Sequence, residues 1–453
     1  MISKRALIQY SILLLTILIS FSIILVSQNP TFHLMGFWLI VIVILYITRF
    51  DLTHPLMWFS GSFALYNTGY SLLYVLGYPV NSGYSKDNII LSLLALSVVL
   101  LIIGVRKYDI GGYFNSENFN IMSSKSNKRI TELILISLLA LLLFSIFMLH
   151  QTPFIHKNEM LAARDIFFVL GAYCTRFLTF FSCFYSILFV DIDKIKTKLF
   201  IFSSLILILL FSLFTGERDA MFRFIVAIIV VLVIREKLSK RMLMLLIPIS
   251  MVAIIVGRYF KYYFVSGIVN TSIKGQPFIY NFLTSDFHAA GENLQVLLNN
   301  SWTKSIHGFS LIAVDFISPF FSGESFINVG NWFNNTFYPG SYSRAFTLLG
   351  EGYVIGGILG IAILFTILGF GIKFLYKKST KNIYWLVVYI YSIPTIISAF
   401  RSTLGTVTIA LTRIALLSIA IHYFVNYLIN RKRIKSNKST SGRNISVSSK
   451  QSG

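Results

Sequence analysis

Eight side chains in this sequence have a chemistry that conflicts with their surroundings. Arg218, Arg223, Arg258, Arg344 and Arg401 each lie at or just inside the end of an apolar stretch. Asp286, Glu292 and Glu351 lie in, or directly after, one long aromatic-rich segment. A guanidinium held at membrane depth costs about 2.5–3.5 kcal/mol on insertion scales, so it persists mainly where it is partnered or functional. Arginine grips phosphate oxygens through a two-pronged fork, and five of them suit a phosphorylated or pyrophosphorylated lipid. A carboxylate beside them can take a proton from a hydroxyl nucleophile. Asp286 and Glu292 are six residues apart and do not share a helix face well. His288 and His307 occupy the same stretch and are alternative bases. The competing reading is internal pairing, for example Arg218 or Arg223 with Glu217 or Asp219. It is weaker for all five arginines, because few carboxylates lie near them in sequence.

Other motifs carry less. Arg176 and Arg413 fall deep inside apolar runs and must face a bundle interior or a wet cavity. Cys174 and Cys183 share one run, roughly 13 Å apart along a helix, too far for a disulfide. Asp191-Ile192-Asp193 has the form of a metal-binding Asp-x-Asp, but it stands beside three lysines in a loop too short for a nucleotide-binding fold. There is no phosphate-binding glycine loop and no His-Glu-x-x-His. No metal site is expected.

The elements that must position these residues are transmembrane helices. Of 453 residues, 56% are hydrophobic and only 12% are charged, about half the charge of a soluble domain. That excludes a soluble enzyme, a disordered chain and a coiled coil, and leaves an all-α polytopic membrane protein. Apolar blocks of spanning length, roughly 17–25 residues, fall near 6–26, 32–48, 56–77, 89–105, 133–149, 166–190, 199–215, 220–234, 242–257, 345–372, 382–400 and 404–429. The expectation is therefore about twelve spans, the first of them a retained helix and not a cleaved leader. Gly356 and Gly360 are expected to let neighbouring helices approach closely.

The net charge of +22 reads as helix orientation and not as nucleic-acid binding. With the N-terminus in the cytoplasm, 26 Lys and Arg fall on inside segments and ten outside. Five of those ten lie in one long outer loop, where the orientation rule has little force. Both termini are then cytoplasmic. The domains expected are a single transmembrane domain over 1–430, with an outer loop at 258–344, and a basic disordered cytoplasmic tail at 431–453 drawn to anionic membrane lipids. The outer loop carries twenty aromatic residues, suited either to an interfacial belt or to stacking on pyranose rings. Within it, 280–299 reads as an amphipathic helix lying near the interface.

Twelve spans with one large outer loop ahead of the last three resemble the bacterial repeat-unit polymerases of O-antigen, enterobacterial common antigen and capsule. The strings that carry the resemblance are Thr215-Gly216-Glu217-Arg218-Asp219, Gly257-Arg258-Tyr259, Asp286 followed by Gly291-Glu292-Asn293-Leu294, the run Ser343-Arg344…Gly350-Glu351-Gly352-Tyr353…Gly356-Gly357, and Phe400-Arg401 before a span containing Arg413. The resemblance implies a multi-pass protein of the bacterial inner membrane. It implies a glycosyltransferase that joins two undecaprenyl-pyrophosphate-linked oligosaccharides outside that membrane, with no cofactor and no nucleotide sugar. A chain-length regulator and a flippase are the implied partners. The five arginines would then hold pyrophosphate, and one of Asp286, Glu292 and Glu351 would be the base. A flippase for the same lipid-linked sugars, or a ligase moving finished O-antigen to a lipid core, are the competing readings. A flippase would be expected to show matching halves, and none is visible.

Overall fold

Helix starts are written locally into the chain. Asn29 accepts the Thr31 N–H at 2.9 Å and Pro30 opens the helix behind it. Ser85 accepts the Asp87 N–H and Asn382 the Trp385 N–H, at 3.1 and 3.0 Å. Such caps satisfy donors that a helix start leaves without an intrahelical acceptor. The computed structural model describes residues 4–110, 125–151, 160, 165–188, 195–239, 276–300, 308–317, 320, 329–339 and 346–427, with short stretches between 242 and 256. Arg258, Arg344, His307, the Asp191–Asp193 motif and the tail at 431–453 lie outside these residues.

The described chain is helical, with no strand among the described residues. In order come α1 (Lys4–Val26), α2 (Pro30–Thr48), α3 (Pro55–Val75), α4 (Lys86–Ile103), α5 (Lys125–His150), α6 (Ile166–Leu188), α7 (Ile195–Thr215) and α8 (Arg218–Ile234). Then follow α9 (Phe278–Phe282), joined through a π turn at Leu283–Phe287 to α10 (Ala289–Asn299), and α11 (Ser310–Ile317) and α12 (Val329–Phe337). The chain closes with α13 (Leu348–Lys378), α14 (Ile383–Ala399) and α15, which begins as Leu404–Ile409 and passes through a π segment at Ala410–Leu416.

Eight helices among the described residues are long and apolar enough to cross a bilayer: α1, α2, α4, α5, α6, α7, α13 and the helix from Leu404 to Tyr427. The other expected spans differ for physical reasons. The block 56–77 forms α3, which carries Ser, Asn, Thr, Gly and Tyr and is buried on nearly all sides, so it does not need a lipid-soluble surface. The block 382–400 forms the 17-residue α14, apolar and almost wholly buried. The block 220–234 forms α8, also 17 residues, with Arg218, Asp219 and Arg223 in its first two turns. The block 242–257 lies partly outside the described residues.

Burial separates an inner from an outer set of helices. In α1, α5 and α7 only 28% of the spanning window is buried, against 61% in α4. Their exposed Leu, Ile and Phe side chains form the kind of surface that lipid covers. At one end of the bundle Asp51 pairs with Lys107 at 2.6 Å, Lys373 donates to the Ile102 carbonyl at 2.6 Å, and Tyr389 donates to the Thr53 carbonyl at 2.6 Å. The opposite end gathers the α3–α4 corner, the α9–α10 unit, the start of α8 and the α14–α15 turn.

The glycines of α13 act differently from the expectation. Gly356 and Gly357 leave helical geometry, Gly357 with φ +61°, and kink the helix. Gly360 then sits against the Gly352 carbonyl of its own helix. These glycines serve an internal bend, which sets the short segment carrying Glu351 at an angle to the long one.

Candidate functional site

The expected helix over 280–299 exists, interrupted by the π turn at Leu283–Phe287, and its α10 portion packs into the bundle against α3. A side chain at Gly69 would collide with the Phe287 carbonyl, and one at Gly291 would stand 2.9 Å from the Asn67 carbonyl. These two glycines let α10 and the π turn press directly on α3. Three amides then stitch the unit to the α3–α4 corner. Asn88 donates to the Gly291 carbonyl at 2.8 Å, Asn299 to the Ser82 carbonyl at 3.0 Å, and Asn81 to Glu292 Oε1 at 3.2 Å.

Glu292 is 2% exposed. Its other oxygen lies 3.7 Å from His288 Nε2, one helical turn earlier. The His288 side chain is 28% exposed, so it bridges the buried carboxylate to solvent. Asp286 belongs to the π turn just before His288; its side chain lies outside what the structure describes. π turns inside helices are frequent at functional sites, and another among the described residues, Ala410–Leu416, carries Arg413. Arg413 donates to the Tyr173 hydroxyl at 3.4 Å.

A second polar group lies where α8, α14 and α15 meet. Gly216, with φ +70°, turns the chain from α7 into α8. Asp219 in the first turn of α8 pairs with Arg223 at 2.5 Å and stands 3.7 Å from Arg401. Ser398 at the end of α14 donates to the same carboxylate at 2.7 Å. Arg223 is 5% exposed, whereas the Arg401 side chain is 25% exposed. Arg223 thus follows the internal-pairing alternative, and Arg401 is the guanidinium of the pair that reaches solvent. Arg218 is half-buried beside them at the start of α8.

The two groups share an aromatic wall. The Tyr66 ring lies 5.0 Å from Phe287 and 6.2 Å from Phe400. Phe287 immediately precedes His288, and Phe400 immediately precedes Arg401. The aromatics of the outer segment divide in use. Phe282, Phe287 and Phe333 are buried in packing, while Phe278, Phe309, Phe316 and Phe320 are exposed.

Glu351 is fully buried, and its Oε2 accepts the Leu404 N–H at 2.7 Å. Beside it is Asp315 of α11, 9% exposed, in hydrogen-bonding contact with the Glu351 carboxyl and with the Gly405 N–H. Burial pushes the Asp315 carboxyl above the ordinary carboxylate range, against a smaller opposing effect of those two contacts. Asp315 was not among the expected site residues. The available signal was one carboxylate in the otherwise apolar run Ser-Leu-Ile-Ala-Val-Asp-Phe-Ile.

No curated protein and no solved structure matches this chain. A family model does, and it covers residues 7–433, from the first helix to the basic tail. With its multiple apolar helices and its paired arginine and carboxylate groups at one end of the bundle, this multi-pass membrane protein belongs to the O-antigen polysaccharide polymerase Wzy family.

Proposed function

We propose that the protein joins undecaprenyl-pyrophosphate-linked repeat units into a polysaccharide on the outer side of the bacterial inner membrane. In the reaction a hydroxyl of the incoming unit attacks the anomeric carbon of the growing glycan. The bond from that carbon to the pyrophosphate oxygen breaks, undecaprenyl pyrophosphate leaves, and the hydroxyl proton passes to a base. The observation that carries this reading is the pairing of a solvent-reaching guanidinium with a histidine-flanked carboxylate along one aromatic wall, at one end of the bundle.

Charge supports the assignment of a pyrophosphate site. Among the described residues, Arg223 and Arg401 lie beside Asp219, Glu217 acts on Arg223, and Arg218 stands at the same helix start. Guanidiniums gathered at this helix start suit the negative charge that develops on the leaving group. Arg401 and Arg218 are the proposed direct ligands, with Arg258 and Arg344 from the outer segment. Arg223 acts from behind, through Asp219. Glu292 or Asp286 takes the proton, with His288 as the path to solvent. Glu351 stands outside this transfer, because it is fully buried and already holds the Leu404 N–H. The exposed rings of Phe309, Phe316 and Phe320 are proposed sugar contacts. This end of the bundle faces outward on the basic-residue count, since Arg49, Arg106, Lys107, Lys373, Lys377 and Lys378 lie toward the other end.

A deletion strain tests the reading. It should accumulate a single repeat unit on the lipid carrier. Absence of any outer-face glycan would instead indicate a flippase, and full-length polymer held on its carrier would indicate a ligase.

A further inference from the structure

We propose that Asp315 and Glu351 share one proton and act as a positioning pair that clamps α11 of the outer segment onto the start of α15, fixing the turn that carries Arg401. The argument begins with an uncapped helix. Thr403 stands at the N-cap of α15 and makes no side-chain cap bond. The first N–H groups of a helix need acceptors, and here two other helices supply them. Glu351 of α13 takes the Leu404 N–H at 2.7 Å, and Asp315 of α11 takes the Gly405 N–H. The fit leaves no room for a side chain at Gly405, where a Cβ would stand 2.7 Å from Asp315 Oδ1. Thr408, one turn on, donates to the Asp315 backbone carbonyl at 2.5 Å. Asp315 is therefore held to α15 by both its main chain and its side chain.

The two carboxyls also touch each other. A hydrogen bond between carboxyl groups requires a proton on one of them, and two bare carboxylates in contact inside a buried site repel strongly. Asp315 Oδ2 and Glu351 Oε1 are both buried, and no described N–H or O–H reaches either. A shared proton satisfies both atoms. It leaves one negative charge on the pair, at a helix N-terminus that favours one. Among the described residues, the groups acting on the pair are each carboxyl on the other and the Leu404 and Gly405 N–H groups. Arg344, seven residues ahead of Glu351, lies outside the described residues.

The clamp lies three residues from Arg401. The turn between α14 and α15 is held at its first side by the Arg401 and Ser402 N–H groups, on the Ser398 and Ala399 carbonyls. The carboxyl pair holds its second side. Losing the proton would set two like charges against each other and push α11 away from this turn.

The test uses purified full-length protein in lipid nanodiscs. It measures thermal unfolding against pH and chain extension with lipid-linked repeat units; only the second measurement rests on the polymerase reading. Asp315→Asn supplies a permanent amide donor in place of the shared proton. The wild type should lose stability as pH rises from the ordinary carboxylate value of about 4 through the raised value of the folded pair. Asp315→Asn should hold its unfolding midpoint over that range and extend chains at the wild-type rate near neutral pH. Asp315→Ala should extend chains at least about tenfold more slowly, a modest change in barrier. A loss of stability with rising pH in Asp315→Asn equal to that of the wild type would overturn the shared proton. So would loss of extension in Glu351→Gln at an unchanged unfolding midpoint, which would make Glu351 the base. A wild type that extends no chains would sink the polymerase reading, while the unfolding profiles still decide on the pair.

Discussion

Ser398 donates a 2.7 Å hydrogen bond to Asp219, 179 residues earlier in the chain, and so ties the end of α14 to the start of α8. The same carboxylate holds Arg223 at 2.5 Å and faces Arg401 at 3.7 Å. One anion thus organises a buried cation and a solvent-reaching one.

Asp219→Asn should be among the more damaging single changes in the protein. It leaves the buried Arg223 without its counter-charge, which costs about 3–5 kcal/mol in comparable buried pairs. The protein level in the membrane and the unfolding midpoint should both fall. The pair Asp219→Leu with Arg223→Met should recover stability, because two apolar side chains remove the stranded charge. Chain extension should stay low in that double variant, since Arg401 has lost its anchor. Recovery of full activity would show that Asp219 serves folding alone.

Arg401→Lys should fail nearly as badly as Arg401→Ala in chain extension, at normal protein levels. Lysine is a point charge and cannot make the two-pronged contact with phosphate oxygens. Arg218→Lys and Arg258→Lys should behave likewise. Arg223→Lys should differ, because its contact is to a carboxylate inside the protein, and its first effect should be on stability. Wild-type extension by the alanine variants of Arg218, Arg258 and Arg401 together would remove pyrophosphate binding from the arginine group.

The helices were legible in the sequence because lipid imposes long apolar blocks, and because Asn29, Ser85 and Asn382 mark starts in their own local chemistry. The arginine and carboxylate candidates were legible for the same reason, as charges that lipid would not tolerate. What joins them was not. The contact of Gly69 with Phe287, and of Tyr66 with both Phe287 and Phe400, links residues more than 200 positions apart and has no period to betray it. The partners of the α9–α10 unit were hidden for a related reason. An amphipathic pattern cannot distinguish a helix on the surface from one whose polar face is buried against Asn81, Asn88 and the Ser82 carbonyl. Asp315 escaped because it gains its meaning only from Glu351, 36 residues later.

Fusion reporters should put residues near Lys378 in the cytoplasm and residues near Trp302 outside. The basis is the excess of Lys and Arg on one set of loops. A cytoplasmic signal from the Trp302 fusion would reverse the bundle and remove the arginine group from the face where lipid-linked glycan is presented.

The opposite end of the bundle should be acid-labile. His54 caps α3 by accepting the Leu56 N–H at Nδ1, 3.2 Å away, which requires a bare nitrogen. Burial pulls the imidazole down to about 4, against a smaller upward effect of Asp51. The unfolded chain takes up that proton below its ordinary value near 6.5, so stability should fall as pH drops from there toward 4. Asp51 adds to the same limb. Burial opposes its ionisation, but Lys107 and Thr53 outweigh that and hold it below the usual range. Its contribution is present above the unfolded value and is lost as pH falls through the folded one. His54→Asn should keep the helix start, since asparagine is a strong N-cap, and should flatten the upper part of the acid limb. An unchanged unfolding profile in His54→Asn would assign that limb elsewhere.

The acceptor hydroxyl is a weak acid, so removal of its proton should matter by about 10²–10⁴-fold in rate. Glu292→Gln keeps the size of the side chain and an oxygen for the Asn81 amide at 3.2 Å. It should therefore leave the α10 wedge and the binding of lipid-linked units intact while chain extension drops. Asp286→Asn, six residues earlier in the π segment, separates the two candidates, because only the true base should show the large loss. Asn81→Ala provides the control for position. It removes the amide that orients Glu292 but not the carboxylate, so it should slow extension less than Glu292→Gln does. Normal extension by both amide variants would exclude Glu292 and Asp286 together and would turn attention to His288, whose Nε2 lies 3.7 Å from Glu292 and whose ring reaches solvent.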